Sequence, residues 1–287
     1  MLANTFDKTL YEKGNKSRAF KFSFPLLVQR KYDGIRCVSS KYQNNIIMSS
    51  RKGQEIEHFN QIKNEINSLY SDDLCTDDVF FDGELYTPLL NFESISGIVR
   101  TTTCNNAEKD LIEYHIYDVY NPANPSWTFI DRCEFLHKIS MTGIFSRIKF
   151  VESHKVESID EIDYHHNEFV NSGFEGIMIR QMNGVYEENK RSKFLQKYKT
   201  FLEEEFEIVS FHDGEGHDKD MVIWECKTGT GKLFSVKPRG TFDERRAMFV
   251  CAASQIGRFL TVTFQEYSSD GIPRFPVGKS IRDMSFG

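Results

Sequence analysis

The sequence predicts an α+β domain followed by a mostly β domain, and three observations support this. The 287 residues are 39% hydrophobic and 14% aromatic, which is enough apolar material for two hydrophobic cores. Up to about residue 200, strand-like runs alternate with amphipathic segments of helical period. Beyond that point, short strand-like runs are separated by Gly-rich turns, which is typical of a small barrel or sandwich. We therefore expect two domains, 1–202 and 203–287.

The elements of the first domain follow from hydrophobic period and from the residues at segment ends. The segment 58–70 places Ile62, Ile66 and Leu69 at helical spacing, and the segment 158–173 closes on a glycine, a common helix end. The predicted helices are 58–70, 91–100, 127–140 and 158–173. The predicted strands are 25–31, the hairpin 34–40 and 44–50, then 79–87, 111–120, 175–180 and 193–200.

The second domain has its own pattern of short strands. The predicted strands are 203–211, 221–227, 232–238 and 258–267, and one helix is predicted at 242–253. This is the pattern of a small barrel with a single helical interruption.

Composition excludes several classes of protein. A net charge of −6 argues against a protein that coats nucleic acid by bulk charge, although a basic track on one face remains compatible with it. The six cysteines lie far apart with no Cys-x-x-Cys pair, so neither a zinc ribbon nor a disulfide framework is predicted. No segment has the length and apolarity of a membrane span or a signal peptide. We therefore expect a soluble, intracellular monomer of cytoplasm or nucleus that does not bind membranes.

Charged pairs occur on two predicted strands. Residues i and i+2 of a strand share a face, so Asp82 should point the same way as Glu84, and Lys197 the same way as Lys199. Carboxylates suit Mg²⁺, and lysines suit phosphate. Taken singly, each pair is more often a solvated strand face. The order of the motifs that surround these pairs favours a functional interpretation over a solvated strand face.

Six short motifs follow one another along the chain, and two of them contain these pairs. They are KYDGIR (31–36), SRKG (50–53), FDGELY (81–86), YHIYD (114–118), EGIMIR (175–180) and LQKYK (195–199). In this order and at these separations they resemble the motifs of the covalent nucleotidyltransferases, specifically the small ATP-dependent DNA ligases. The segment GIPRFPVGKSIRD (271–283) is similar to one near the end of many DNA ligases.

The resemblance implies a fold and a reaction. The fold would be an α+β nucleotidyltransferase (adenylation) domain of packed antiparallel sheets with helices, followed by an all-β OB-fold barrel. In the reaction, Lys31 would attack the α-phosphorus of ATP and form a lysyl-AMP adduct. AMP would then pass to the 5′-phosphate of a nick in duplex DNA, and the 3′-hydroxyl would displace it. A lysine nucleophile must be neutral, which nearby positive charge and burial favour.

The resemblance also assigns residues to the nucleotide. Gln29 would read the adenine amino group, and Tyr117 would stack on the ring. Arg36 would contact the ribose or the nick phosphate, while Lys197 and Lys199 would hold the α-phosphate. The alternative that Tyr117 is a plain core residue stays open.

Metal and DNA contacts complete the implied site. Glu84 would bind the ribose or a metal, and Glu175 and Asp82 would be ligands of Mg²⁺ or Mn²⁺. Arg51 would hold the 5′-phosphate, and Arg274 would contact DNA from the second domain. Basic side chains of that domain would help, among them Lys227, Lys232, Lys237 and Arg239.

Two departures from the family pattern and two other functions stay open. The chain ends IRDMSFG, which contains no clear Arg-x-Asp-Lys motif for orienting the pyrophosphate, and Arg282 is a substitute candidate. The segment 211–221 is too short for the long hairpin that some viral ligases close around DNA. An RNA ligase or an mRNA-capping guanylyltransferase would share the earlier motifs. A nucleic-acid-binding module without catalysis is the alternative from another class.

Overall fold

The computed structural model describes residues 1–70, 75–101 and 107–282, and the chain divides into two compact units, Met1–Lys199 and Thr200–Gly287. The predicted boundary at 202 lies three residues beyond the end of the first unit. Residue 283, the last of the 271–283 segment, lies outside the described residues.

The first unit contains two five-stranded sheets. In spatial order the first sheet has β1 (Leu2–Thr5), β10 (Arg191–Lys199), β9 (Gly176–Gln181), β2 (Leu26–Lys31) and β8 (His154–Val156). The second sheet has β4 (Asn45–Ser50), β3 (Ile35–Tyr42), β5 (Phe80–Tyr86), β6 (Glu113–Tyr120) and β7 (Ile148–Phe150). Every strand predicted for this unit appears in one of these two sheets.

The prediction that the sheets are antiparallel is wrong at their edges. β1 pairs with β10 in parallel, and β7 pairs with β6 in parallel. Both edge strands are only three or four residues long, and sequence patterning does not identify them. Each reaches its partner through a long connection, which permits a parallel arrangement.

Four α-helices cover the sheets of the first unit. They are α1 (Asn60–Leu69), α2 (Phe92–Arg100), α3 (Phe129–Ser140) and α4 (Ile159–Asn171). Side chains at the helix starts explain where three of them begin, because the oxygens of Asn91, Thr128 and Ser158 accept backbone N–H groups of the first turn. Helices α1 and α2 contribute to one core with the second sheet, and α4 contributes to another with the first sheet.

The second unit is a closed barrel with one α-helix. In spatial order its strands are β11 (Leu202–Asp213), β12 (Val222–Lys227), β13 (Leu233–Pro238), β15 (Val277–Arg282) and β14 (Phe259–Phe264). The helix α5 (Phe242–Val250) begins with a capping box formed by Thr241 and Glu244. The prediction of an all-β barrel is therefore incomplete, because this unit also contains α5. Sequence patterning also missed β15, half of whose residues are polar or charged.

The described part of the chain has no helix long and apolar enough to cross a membrane. Its cysteines are free thiols, and Cys104 lies outside the described residues.

Candidate active site

Lys31 is the last residue of β2, where the strand lies beside the start of β9. The Glu175 N–H donates to the Lys31 carbonyl (N to O 3.0 Å), and Lys31 is in register with Gly176. Gly176 has φ +145°, and a Cβ there would collide with the carbonyl oxygen of Tyr198 on β10. Glycine is therefore required where three strands bring Lys31, Glu175 and Lys199 together.

One carboxylate bridges two of the predicted site lysines. The two Glu175 oxygens accept hydrogen bonds from Lys31 Nζ and Lys199 Nζ. The side chains of Lys31, Glu175 and Lys199 are 20%, 5% and 13% exposed, so the bridge is largely shielded from water. Because each lysine requires a negative partner when buried, Glu175 allows two ammonium groups to lie close together.

Burial lowers the pKa of Lys31, while the carboxylates of Glu84 and Asp33 oppose the shift. The ion pair with Glu175 also favours the ammonium form.

Lys197 and Arg51 are cations that make no ion pair with a carboxylate of the described residues. Burial lowers the pKa of Lys197, and the nearby charges of Lys31, Arg191 and Arg51 lower it further. Arg51 is exposed on the turn after β4, and neither side chain has an ion pair with a described residue. These two cations are thus available to an anionic ligand near Lys31.

Arg36 is held away from solvent by Asp82. Its Nε and Nη2 donate to the two Asp82 oxygens at 2.8 and 2.7 Å, and the Tyr186 hydroxyl donates to Asp82 Oδ2 at 2.7 Å. Asp82 is only 3% exposed. Both of its oxygens are occupied, so metal binding by Asp82 would require Arg36 to leave, and that role stays a prediction.

Glu84 is the site carboxylate with the most unusual environment. Burial raises the pKa of Glu84 to about 8, Lys31 and Arg36 lower it, and Asp82 raises it. The Glu84 carboxyl group makes no hydrogen bond or ion pair with any described residue, although the Glu84 backbone is paired in the sheet. A half-buried carboxyl group without a partner is suited to receive a hydroxyl group or a cation from a ligand.

Tyr117 occupies a β-bulge. Asp82 pairs with Asp118 and Gly83 pairs with Ile116, so Tyr117 is the extra residue on β6. A bulge changes the direction of a side chain and is common beside active sites. The Tyr117 ring is half-buried and lies outside the core clusters, with the Arg180 guanidinium carbon 5.7 Å from its centroid. This position favours the stacking role over the core alternative, although stacking itself stays a prediction.

Gln29 is bound by the protein on every side. Its Nε2 donates to the Tyr117 carbonyl (3.1 Å) and to Ser153 Oγ (3.0 Å), and its Oε1 accepts from Arg180 Nε (2.8 Å). The residue is 2% exposed. Adenine recognition by Gln29 stays a prediction, and it would require the amide to exchange at least one of these bonds.

A buried network that sequence reasoning missed lies behind Gln29. Asp118 is fully buried and pairs with Arg180 Nη1 and with Arg132 Nε, both at 2.6 Å. Although burial raises the pKa of Asp118, the charges of the two arginines more than compensate, and the net pKa is lowered. Arg132 lies on α3, outside all six motifs, and a polar residue of an amphipathic helix gives no signal of burial.

Two family models match the chain in the order of its two units. The model described as ATP dependent DNA ligase domain matches residues 1–199. The model described as DNA ligase OB-like domain matches residues 214–282. The first match alone covers more than half of the chain. This chain belongs to the ATP-dependent DNA ligase family.

A curated viral DNA ligase is similar in sequence, and two solved structures share the fold. The DNA ligase of African swine fever virus (strain Badajoz 1971 Vero-adapted) is 31% identical over 269 residues, covering 86% of this chain and 61% of that ligase. A solved structure named Pmar-Lig_Pre has a TM-score of 0.82 at 23% identity, with 98% of this chain and 66% of that one covered. A Lig E DNA ligase structure has a TM-score of 0.75 at 20% identity, with 98% of both covered. The chain therefore spans about 61% of the length of the viral relative.

Four of the five cations predicted to contact DNA from the barrel already make ion pairs, namely Lys227, Lys232, Lys237 and Arg274. Arg274 pairs with Glu266, and its guanidinium carbon lies 5.4 Å from the ring of the neighbouring Phe275. Lys227 pairs with Glu207. DNA binding by Arg274 stays a prediction, and the ion pair would compete with it.

Two carboxylates of this chain are suited to bind a divalent cation. Mg²⁺ usually takes one or two protein carboxylates and completes its shell with water and phosphate oxygens. Glu84 fits, because a cation would stabilise the charged form that burial disfavours. Glu175 fits if it releases one lysine. Within residues 1–70, 75–101 and 107–282, no cluster of three or more metal-ligating side chains is present.

Proposed function

We propose that this chain is an ATP-dependent DNA ligase that seals 3′-hydroxyl/5′-phosphate nicks in duplex DNA through a lysyl-AMP intermediate. The observation that carries the proposal is the arrangement around Lys31. A buried amine with a lowered pKa lies at the end of a strand, bridged to Lys199 by Glu175 and close to the charge of Lys197. Such an arrangement provides both the nucleophile and the countercharge that phosphoryl transfer needs.

In the first step Lys31 Nζ forms a bond to the α-phosphorus of ATP, and the bond from that phosphorus to pyrophosphate breaks. The amine loses a proton as it attacks, and Glu175 is the carboxylate within hydrogen-bond distance of it. Lys197 and Lys199 offset the charge on the α-phosphate. When bound, Mg²⁺ or Mn²⁺ would neutralise phosphate charge, and Glu84 and Glu175 would hold it.

The second and third steps return the enzyme to its starting state. An oxygen of the nick 5′-phosphate attacks the AMP phosphorus, the phosphorus–nitrogen bond breaks, and Lys31 regains a proton. The 3′-hydroxyl then attacks the 5′-phosphorus and releases AMP and a proton. Arg51, an exposed cation whose charge acts on Lys197, is suited to position the 5′-phosphate.

The decisive test is covalent labelling with ATP that carries a labelled α-phosphate. We expect the wild type to retain label after denaturation in the presence of Mg²⁺, and chelation of the metal to abolish labelling. Lys31→Ala should reduce labelling by at least a thousandfold, since the nucleophile is absent. Lys138→Ala, an exposed lysine of α3, is the matched control and should label normally. Labelling that persists in Lys31→Ala would exclude Lys31 as the nucleophile.

Substrate choice separates the ligase from its relatives in the superfamily. We expect sealing of a nicked DNA duplex with ATP, little activity with GTP, and weaker sealing when both nick strands are RNA. Preference for GTP would indicate a capping guanylyltransferase, and preference for RNA strands an RNA ligase. A protein that binds nicked DNA without labelling or sealing would be a binding module.

A further inference from the structure

A loop near the N-terminus of the first unit carries four cations and no acidic residue. Residues 13–21 contain Lys13, Lys16, Arg18 and Lys21, while the chain as a whole has a net charge of −6. The first three of these side chains are exposed, and Lys21 is half-buried. We call residues 13–21 the basic loop.

Aromatic contacts hold the basic loop against the start of β10. The rings of Phe20 and Phe194 meet edge to face, with centroids 6.2 Å apart. Lys193 Nζ lies 5.6 Å from the Phe20 centroid and 5.1 Å from the Phe194 centroid. Lys193 and the neighbouring Lys190 are exposed, so they extend the positive charge of the loop. The basic loop with Lys190 and Lys193 forms what we call the basic surface.

The basic surface and the barrel differ in how many of their cations make ion pairs. None of the six cations of the basic surface makes an ion pair with a described residue. In the barrel, by contrast, at least eight of the eleven lysines and arginines pair with a carboxylate of a described residue. Exposed cations that a protein leaves unpaired in one place create a local positive potential, whatever the net charge.

The basic surface lies close to the candidate active site along β10. Lys193 and Lys197 are four residues apart on this strand, and the pairing with β1 is irregular between them, because Ala3 pairs with Ser192 and Asn4 with Gln196. The charge of Arg191 lowers the pKa of Lys197, so the field of this end of β10 reaches the lysines around Lys31.

We propose that the basic surface binds the phosphate backbone of duplex DNA beside the nick. The proposal rests on the proposed ligase function and names where the first unit grips its substrate. Flexible lysines act as point charges toward phosphates and read no bases, which suits an enzyme that must act on any sequence. Phe20, 40% exposed, gives the loop an apolar contact beside its charges.

The test compares two variants that change the net charge equally. The surface variant carries Lys13→Gln, Lys16→Gln and Arg18→Gln. The control variant carries Arg100→Gln, Lys138→Gln and Lys219→Gln, three other exposed cations without ion pairs to described residues. Binding to a fluorescent nicked DNA duplex is measured from 50 to 200 mM salt, and thermal melting followed by circular dichroism checks that both variants fold.

We expect the surface variant to bind nicked duplex roughly tenfold or more weakly at 0.1 M salt. The slope of log K against log salt should become shallower by about 2 to 3, since each phosphate contact contributes about 0.9. The control variant should match the wild type in both quantities. Equal affinities and slopes for the surface and control variants would overturn the proposal.

Failure of the ligase function itself would give a different result. If the wild type neither forms a covalent AMP adduct nor seals nicks, the proposed function fails whatever the binding data show. If the wild type labels and seals while the surface variant binds DNA as the control does, only the basic surface is wrong.

Discussion

The two units have the same net charge but arrange their charges differently. The first unit has 25 basic and 28 acidic residues and the barrel has 11 and 14, so each carries −3. In the barrel most cations pair with carboxylates, largely at the surface. In the first unit, the ion pairs near the candidate active site are shielded from water, whereas the cations of the basic surface make no ion pair with a described residue. Net charge therefore says little about where a polyanion binds, because arrangement decides the local field.

Each unit also contains a carboxylate that binds two cations. Asp118 is fully buried between Arg132 and Arg180. In the barrel, the side chain of Asp218 is 27% exposed and pairs with Lys237 and Arg245 at 2.7 Å each. The geometry is similar, but water reaches only the second group. Burial should therefore decide how much each carboxylate contributes to folding.

The two units can be followed separately because each contains one tryptophan. Trp127 precedes α3 in the first unit, and Trp224 is buried in the barrel. Trp224→Phe therefore leaves a fluorescence signal that reports the first unit, and Trp127→Phe leaves one that reports the barrel.

The largest effect on stability should come from Asp118→Asn. This change leaves two buried guanidinium groups without a compensating negative charge, which costs on the order of 3–5 kcal/mol. Denaturant unfolding in the Trp224→Phe background, where Trp127 reports the first unit, should show this loss. In the Trp127→Phe background, where Trp224 reports the barrel, the transition should be unchanged. The control is Asp78→Asn, an exposed aspartate. A loss below about 1 kcal/mol would mean that the buried network is not a stability determinant.

A pH-dependent effect of intermediate size is expected from Glu84. Its pKa of about 8 in the folded state is above the ordinary value near 4.3, so folding favours the protonated form. The contribution to stability is complete below about pH 4.3 and is lost as the pH rises through 8. Relative to Glu84→Gln, the wild type should thus become less stable from pH 4.3 to 8, as measured by Trp127 fluorescence during unfolding. Added Mg²⁺ should reduce this decline.

The control for Glu84 is Glu12→Gln, an exposed glutamate whose difference from the wild type should not vary with pH. If the difference between wild type and Glu84→Gln is constant over this range, Glu84 ionises as an ordinary carboxyl group. The proposed ligand role would then lose its main physical support.

The smallest effect should come from Asp218→Asn in the barrel. Hydrogen bonds from Lys237 and Arg245 lower the pKa of Asp218 to about 2, so its contribution is present above about pH 4 and is lost as the pH falls toward 2. At pH 7 we expect a loss in the barrel that is clearly smaller than that caused by Asp118→Asn in the first unit, because water solvates Asp218 and Lys237, and only Arg245 is left buried without its carboxylate. Equal losses at pH 7 would show that burial does not distinguish the two carboxylates. The stability loss in the barrel is measured by denaturant unfolding followed by Trp224 fluorescence in the Trp127→Phe background.

Much of the fold followed from sequence patterning. The helices of the first unit and the β2 to β6 strands lie where hydrophobic period and turn residues predict them. The short edge strands β1 and β7 escaped prediction, because three or four residues carry too little periodicity. Tertiary pairing with a neighbouring strand, and not local preference, makes them strands.

The sequence by itself determined the candidate nucleophile, the order of the motifs and the division into an α+β part and a β part. These are local properties, since a motif or a hydrophobic period is written in consecutive residues. Only the tertiary structure decided that Glu175 bridges Lys31 and Lys199, that Tyr117 lies in a bulge, and that Arg132 and Arg180 share Asp118. The tertiary structure also decided which cations make ion pairs and which do not. Partners of a charge come from distant parts of the chain, and only folding brings them within a few ångströms.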